Sequence, residues 1–175
     1  MILKPQDVVI ALKLVTIERE LWTYVTMSYQ LHISASEINA GIKRLIRAQL
    51  VLPPGQRIRT CKVLRPSLYE FLIHGVKYSF PPERGELTRG MPTAYAAPPL
   101  REMIQPSSDP PPVWPDPDGE VRGISFSPLY RTVPQAAGKD ASLYELLALV
   151  DAIRDGRSRE RKLAEKELKK RVLLR

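Results

Sequence analysis

The chain has 175 residues, 43% of them hydrophobic, with one cysteine and a formal net charge of +8. This length and composition predict one domain, or one small domain with an appended module, around a real core. A single cysteine excludes an internal disulfide framework. No apolar run has the length of a membrane span, and the first residues lack the layout of a signal peptide. We therefore expect a cytoplasmic protein with no membrane partner.

Positive charge is concentrated at the two ends of the chain. Residues 1–76 carry +5 and residues 139–175 carry +4, whereas residues 77–138 carry −1. A protein that neutralises phosphates is expected to be basic in this way, although a basic charge can also serve solubility alone.

Residues 3–15 are predicted to form a first helix, because Pro5 is favoured in a first helical turn. Val8, Val9, Leu12 and Val15, together with the apolar residues between them, make this helix hydrophobic over much of its surface. It is therefore expected to be buried against the elements that follow it, and also against a second subunit if the protein is a dimer.

Residues 22–51 have the pattern of two helices joined by a short turn. Thr23 can cap the first helix, whose inward positions are Met27, Ser28 and Leu31, and the turn falls at His32-Ile33. Ser34 and Glu37 form an S-x-x-E capping box at the start of the second helix. The apolar stripe of this second helix is predicted to contain Ile38, Ile42, Leu45, Ile46 and Leu50.

The opposite stripe of the second helix is predicted to be exposed and polar. It carries Ser36, Asn39, Ala40, Lys43, Arg44 and Arg47. Asparagine can pair with adenine, arginine or lysine with guanine, and all of these side chains can reach phosphates. Such a face is typical of a helix that recognises DNA.

The second helix is followed by a predicted β-hairpin. The turn residues Pro53-Pro54-Gly55 precede an alternation of basic and apolar residues up to Arg65. Arg57, Arg59 and Lys62 would lie where a wing reaches the DNA backbone or minor groove, and solvated charges on an edge strand are the alternative. Cys61 is interpreted as a half-buried strand thiol.

The stretch from Trp22 to Val51 resembles the helix-turn-helix of winged-helix bacterial transcription regulators, especially the MarR-like group. The resemblance covers the first 80 or so residues, and the chain departs from the pattern at His32 and Gln49, where glycine is usual. Histidine tolerates a left-handed backbone, and a helix need not end in glycine. The matching residues are Thr23, Met27, Ser28, Leu31, Ile33, Ser34, Ser36, Ile38, Ile42, Lys43, Arg44, Leu45, Leu50 and Val51.

After a short predicted helix at residues 68–76, residues 78–134 contain 13 of the 17 prolines, which exclude long helices. This region is too apolar for a solvated linker, so we expect an extended segment that packs along the domain or along a partner. Residues 100–104 are expected to make one helical turn. For Asp116, Asp118 and Glu120, a turn at Asp118-Gly119 is favoured over a calcium loop.

The C-terminal segment is predicted to be helical again. Ser142 and Glu145 repeat the capping box, and the apolar face that follows resembles a dimerisation helix, with packing on its own domain as the alternative. Residues 157–175 form a basic helix with a narrow apolar stripe. Surface ion pairing, a polyanion patch and, with less support, adsorption to a membrane surface all remain open.

These patterns predict a mainly α fold with a small β-wing, divided into a winged helix-turn-helix (1–77), a proline-rich segment (78–138) and a C-terminal helical segment (139–175). The resemblance implies a homodimeric repressor that binds double-stranded DNA. Ser36, Asn39, Ala40 and Lys43 would then read bases, and the set that would hold the backbone is Ser34, Arg44, Arg47, Arg57 and Arg59.

The alternative is a protein-interaction module, such as an antitoxin or adaptor, that binds a partner through residues 78–175. Two histidines and one cysteine offer no credible catalytic or metal constellation, so neither an enzymatic activity nor a cofactor is predicted.

Overall fold

The computed structural model describes residues 2–18, 20–54, 61–105 and 108–174. As predicted, the fold is mainly helical. The elements of the first half are α1 (Pro5–Thr16), α2 (Tyr24–Leu31), α3 (Ala35–Arg47), β1 (Val51–Leu52), β2 (Lys62–Val63), α4 (Arg65–Glu70), a π-helical turn (Phe71–Gly75) and α5 (Val76–Ser79).

The second half contains the other strands and three further helices. Its elements are β3 (Arg84–Pro92), two 3₁₀ turns (Ala94–Ala96 and Leu100–Glu102), β4 (Pro112–Pro115), β5 (Val121–Phe126), α6 (Val133–Gly138), α7 (Ala141–Asp155), α8 (Ser158–Leu168) and a closing π-helical turn (Lys169–Leu173). The helical turn expected at residues 100–104 is confirmed by the second 3₁₀ turn.

The first three helices pack against one another, with α1 and α2 both in contact with α3. Every residue of α1 from Asp7 to Val15 is buried, because the helix also contacts α7 and β2. This confirms the prediction of a helix that is hydrophobic over much of its surface. Met27 and Leu31 of α2 are fully buried against this core, as predicted.

The proline-rich region forms a small sheet in which each of the three strands pairs with the other two. β3 is antiparallel to β4, with Met91 opposite Trp114, and also antiparallel to β5. β4 and β5 are parallel, with Pro112 opposite Ile124. The extended backbone of this region was predicted, but its pairing into a sheet was not.

Helix α7 is the central element of the second half. Ten of its fifteen residues are buried, because α1, α5, α6 and α8 pack around it. Its apolar face is therefore covered within the chain, which supports the alternative of packing on its own domain. The predicted capping box at Ser142 and Glu145 is wrong, because Asp140 caps the helix by accepting a hydrogen bond from the Leu143 N–H at 3.0 Å.

The hydrophobic core includes residues from all three predicted segments, among them Leu12, Trp114 and Leu147. Ala164, Leu168 and Val172 of the C-terminal helix join the same core, and Leu163 packs against it. No helix among the described residues combines the length and apolar character needed to cross a bilayer.

Candidate nucleic-acid interface

Helix α3 begins at a serine cap and has one buried and one exposed side. The Ser34 hydroxyl accepts a hydrogen bond from the Glu37 N–H at 3.2 Å, so this part of the predicted capping box is confirmed. Ile38, Ile42 and Leu45 are buried, as their spacing predicts. The burial of this stripe fixes which side of the helix faces solvent.

The outward face of α3, a name used below for Ser36, Asn39, Ala40, Lys43 and Arg47, lies within an arc of about 100°. Ser36, Lys43 and Arg47 are exposed, and Asn39 and Ala40 are partly exposed. Ser34 is exposed at the N-terminal end of the same helix. Six of the predicted site residues are thus brought together on one accessible surface.

Arg44 is not part of this surface, and the prediction that it is exposed is wrong. Its side chain is 7% exposed and makes two parallel hydrogen bonds of 2.7 Å to the carboxylate of Asp7, which is fully buried in α1. Arg44 is three residues after Gly41, which lies against Ile10 of α1. Its side chain therefore faces α1 and not solvent. This bidentate pairing also stabilises the charged form of Arg44. Its pKa is raised above the usual value, chiefly by the hydrogen bonds to Asp7.

Glu37 completes this buried cluster from the first turn of α3. Its carboxylate accepts hydrogen bonds from Arg44 and from the Gln6 amide. It therefore does not return to the backbone of Ser34, as a capping box would require. The hydrogen bond from Arg44 is the main reason that the pKa of Glu37 lies below its usual value.

Gly41 allows α1 and α3 to approach closely enough for this cluster to form. A Cβ atom at this position would lie 2.6 Å from Cδ1 of Ile10 and 2.9 Å from Oδ1 of Asp7. A glycine inside a helix costs roughly 1 kcal/mol relative to alanine, so it indicates a packing reason when it is present. Gly41 and Asp7 were not among the predicted site residues, although a mid-helix glycine and an acidic residue in an apolar helix are visible signals.

Both residues that replace a glycine of the family pattern have a left-handed backbone. His32, which ends α2, has φ 53° and ψ 36°, and Gln49, after α3, has φ 57°. The left-handed conformation expected to be tolerated at His32 is therefore confirmed. His32 Nε2 also lies 3.4 Å from Nζ of Lys139, which places the loop before α7 beside the α2–α3 turn.

The two-stranded ribbon β1–β2 follows α3, with Val51 opposite Val63. Lys62 is exposed on β2. The predicted contact residues Arg57 and Arg59 lie outside the described residues. Cys61 is buried, and this burial raises the pKa of its thiol.

Acidic side chains outside this region do not form a metal site in the described part of the chain. Among the described residues no group of three histidine, cysteine, aspartate or glutamate side chains could hold a metal. Asp116 instead accepts a hydrogen bond from the Asp118 N–H at 3.1 Å, which confirms the turn expected there.

We compared the chain with known protein families, with curated proteins and with solved structures, and found no match.

Proposed function

We propose that this protein is a sequence-specific DNA-binding transcriptional regulator that inserts α3 into the major groove. The outward face of α3 carries this proposal. It presents hydroxyl, amide and cationic groups to solvent on a rigid helix with a buried opposite side. A helix with its side chains is about 10–12 Å across, and the major groove is about 12 Å wide.

In this proposal the contacts divide into two classes. Ser36, Asn39, Ala40 and Lys43 read base edges, whereas Ser34 and Arg47 hold phosphates at the groove edge. Arg57 and Arg59, which lie between β1 and β2 in the sequence, are proposed to contact the backbone as well. Arg44 has another role, because its bonds to Asp7 anchor α3 on α1 and so orient the outward face.

The order of elements supports a winged-helix fold of the MarR-like kind as part of the proposal. Two helices joined at a left-handed residue are followed by a two-stranded antiparallel ribbon, and α1 packs behind them. The regulator that we propose is a homodimeric repressor of a nearby operon.

The homodimer of this proposal needs an interface other than the apolar face of α7. That face is filled by the chain's own helices. Sedimentation of the free protein and of its DNA complex tests whether the protein is a dimer, since one chain has a mass of 19.8 kDa and a dimer has twice that mass.

The alternative, a partner-binding module at residues 78–175, has less support. Trp114, Phe126 and Leu129 are among the apolar residues of segment 78–134, for which packing along a partner was one expectation, and they are buried in the chain's own core.

The proposal predicts that the protein distinguishes its own upstream DNA from scrambled DNA of the same composition. We expect at least a hundredfold difference in affinity across a salt series, measured by fluorescence anisotropy. Substituting Asn39→Ala with Lys43→Ala should remove most of that difference, because each bidentate base contact is worth roughly 1–3 kcal/mol.

The matched control is Gln105→Ala with Arg122→Ala, which removes one amide and one cation from exposed positions outside the first three helices. This control should retain the discrimination. Equal and steeply salt-dependent binding of the wild-type protein to both DNAs would contradict the proposal, because phosphate contacts alone carry no sequence information.

A further inference from the structure

The last helix carries cations that the fold does not use. Arg159, Lys162, Lys166 and Lys169, called the basic stripe below, are all exposed. At 100° per residue they lie within an arc of about 80° on one side of α8 and the turn that follows it. None of the four makes an ion pair with a carboxylate of the described residues.

Two of the nearby carboxylates are engaged elsewhere. Glu160 accepts a hydrogen bond from the Arg157 N–H at 2.8 Å and so caps the helix. Glu167 is 4% exposed and binds Lys170 and Arg171. Glu165 lies at helical spacing from Lys162 and Lys169 but forms no ion pair with either in the described part of the chain. The four cations of the basic stripe therefore outnumber this one unengaged carboxylate, and like charges three or four residues apart on a helix are mildly destabilising. A polyanion at this surface would remove that repulsion.

The closing turn that carries Lys169 packs against α4, the helix that follows β2 in the chain. The guanidinium of Arg65, which opens α4 directly after β2, donates a hydrogen bond to the Val172 carbonyl oxygen at 2.7 Å. Val172 is three residues beyond Lys169, so the C-terminal end of the stripe lies at α4, which begins three residues after exposed Lys62.

The shape of the stripe suits a nucleic-acid backbone. Ten residues of helix rise about 15 Å, and each DNA strand carries one phosphate per 3.4 Å or so of axis, so the stripe spans about four phosphates. A membrane surface fits less well, because Ala164, Leu168 and Val172 on the other side of the helix are fully buried in the protein.

We infer that the basic stripe is a second phosphate-backbone contact, which binds DNA flanking the site that α3 reads. This inference rests on the proposed function and extends the interface from the ribbon to the C-terminal helix.

The test measures how the affinity of the full-length protein for its own upstream duplex depends on salt. In Lys166→Gln with Lys169→Gln, the slope of log K against log[salt] should fall by about 2, since each lost phosphate contact removes roughly 0.9. The control, Arg89→Gln with Arg122→Gln, removes the same charge from exposed positions on β3 and β5 and should change the slope by less than 1. Circular dichroism verifies that both variants are folded.

The same titrations on scrambled DNA separate this inference from the proposed function. A reduced slope with discrimination intact supports both. An unchanged slope, or an equal change in the control, overturns the inference while retained discrimination leaves the proposed function standing. A wild-type protein that fails to discriminate overturns the proposed function, and the slope of the two variants then still decides whether the basic stripe binds phosphates.

Discussion

At the scale of single residues, Arg44 and Arg47 of α3 should behave in opposite ways. Arg44→Ala leaves the buried carboxylate of Asp7 without its cation, and only the Lys4 backbone N–H still donates to it. Breaking a buried ion pair costs roughly 3–5 kcal/mol, so we expect the free energy of unfolding to fall by about that amount. Arg47→Ala removes an exposed cation and should change stability by about 0.5 kcal/mol or less. Urea titrations of both variants measure this difference.

In DNA binding, by contrast, the substitution at Arg47 should have an effect and the substitution at Arg44 should not. Under conditions where both variants are folded, Arg47→Ala should reduce the salt slope by roughly 0.9, the value of one phosphate contact. Arg44→Met, which keeps an apolar stem and leaves no cation, should keep the slope. A slope that drops only in the Arg44 variant would mean that this guanidinium meets DNA after all.

The residue predictions that the structure confirms are those whose signal is local. The Ser34 cap, the buried stripe of α3 and the left-handed backbone at His32 each depend on neighbours within a few positions. Arg44 depends on Asp7, which is 37 residues away in the chain. The spacing of α3 places Arg44 three residues from Gly41, but the partner of its guanidinium is set by the packing of α1 and α3.

At the scale of elements, α7 is joined to the small sheet by a buried polar network. The Asp151 carboxylate accepts hydrogen bonds from the Thr93 hydroxyl at 2.8 Å, the Trp114 indole N–H at 2.7 Å and the Arg154 guanidinium at 2.7 Å. Arg154 in turn donates to the carbonyl oxygens of Phe80 and Ser127, which flank the strands. One helix therefore binds residues adjacent to all three strands.

We predict that Asp151→Ala lowers the free energy of unfolding by at least about 3 kcal/mol. The substitution removes the carboxylate that neutralises the buried Arg154 cation, and it leaves the Thr93 hydroxyl and the Trp114 indole N–H without their acceptor. Asp155→Ala, on the same helix, removes only a surface ion pair with Arg84 and should cost about 1 kcal/mol or less. Urea unfolding followed by circular dichroism compares the two variants. Similar small losses in both would show that the network does not hold the sheet on α7.

The structure of the proline-rich region was only partly predictable, because the contacts that hold it join residues far apart in the chain. Prolines exclude helix, and the apolar residues indicate packing, so an extended segment against the domain could be inferred. Strand pairing across residues 84–126 has no local signature, since β3 meets both β4 and β5. Thr93 and Asp151 are 58 positions apart, beyond the reach of any periodicity argument.

At the scale of the whole molecule, one hydrophobic core passes through segments that composition alone would separate. Buried residues of α1, β4 and α7 belong to the same cluster. Contacts between α1 and α7 connect the first three helices, which carry the proposed DNA-reading surface, to the second half of the chain, which contains the small sheet. A chain with a shared core is expected to unfold in a single cooperative transition.

A Trp22→Phe variant allows this cooperativity to be measured. The sequence has two tryptophans, so Trp114 is then the one that remains. Trp114 is fully buried beside α7, so its fluorescence reports on the sheet, whereas circular dichroism at 222 nm reports on all the helices. We expect both signals to change at the same urea concentration with the same slope. If the fluorescence changed at lower urea than the helical signal, the sheet would be a separately folding unit that opens before the helices. The Asp151 network and the shared core would then be too weak to couple the two halves.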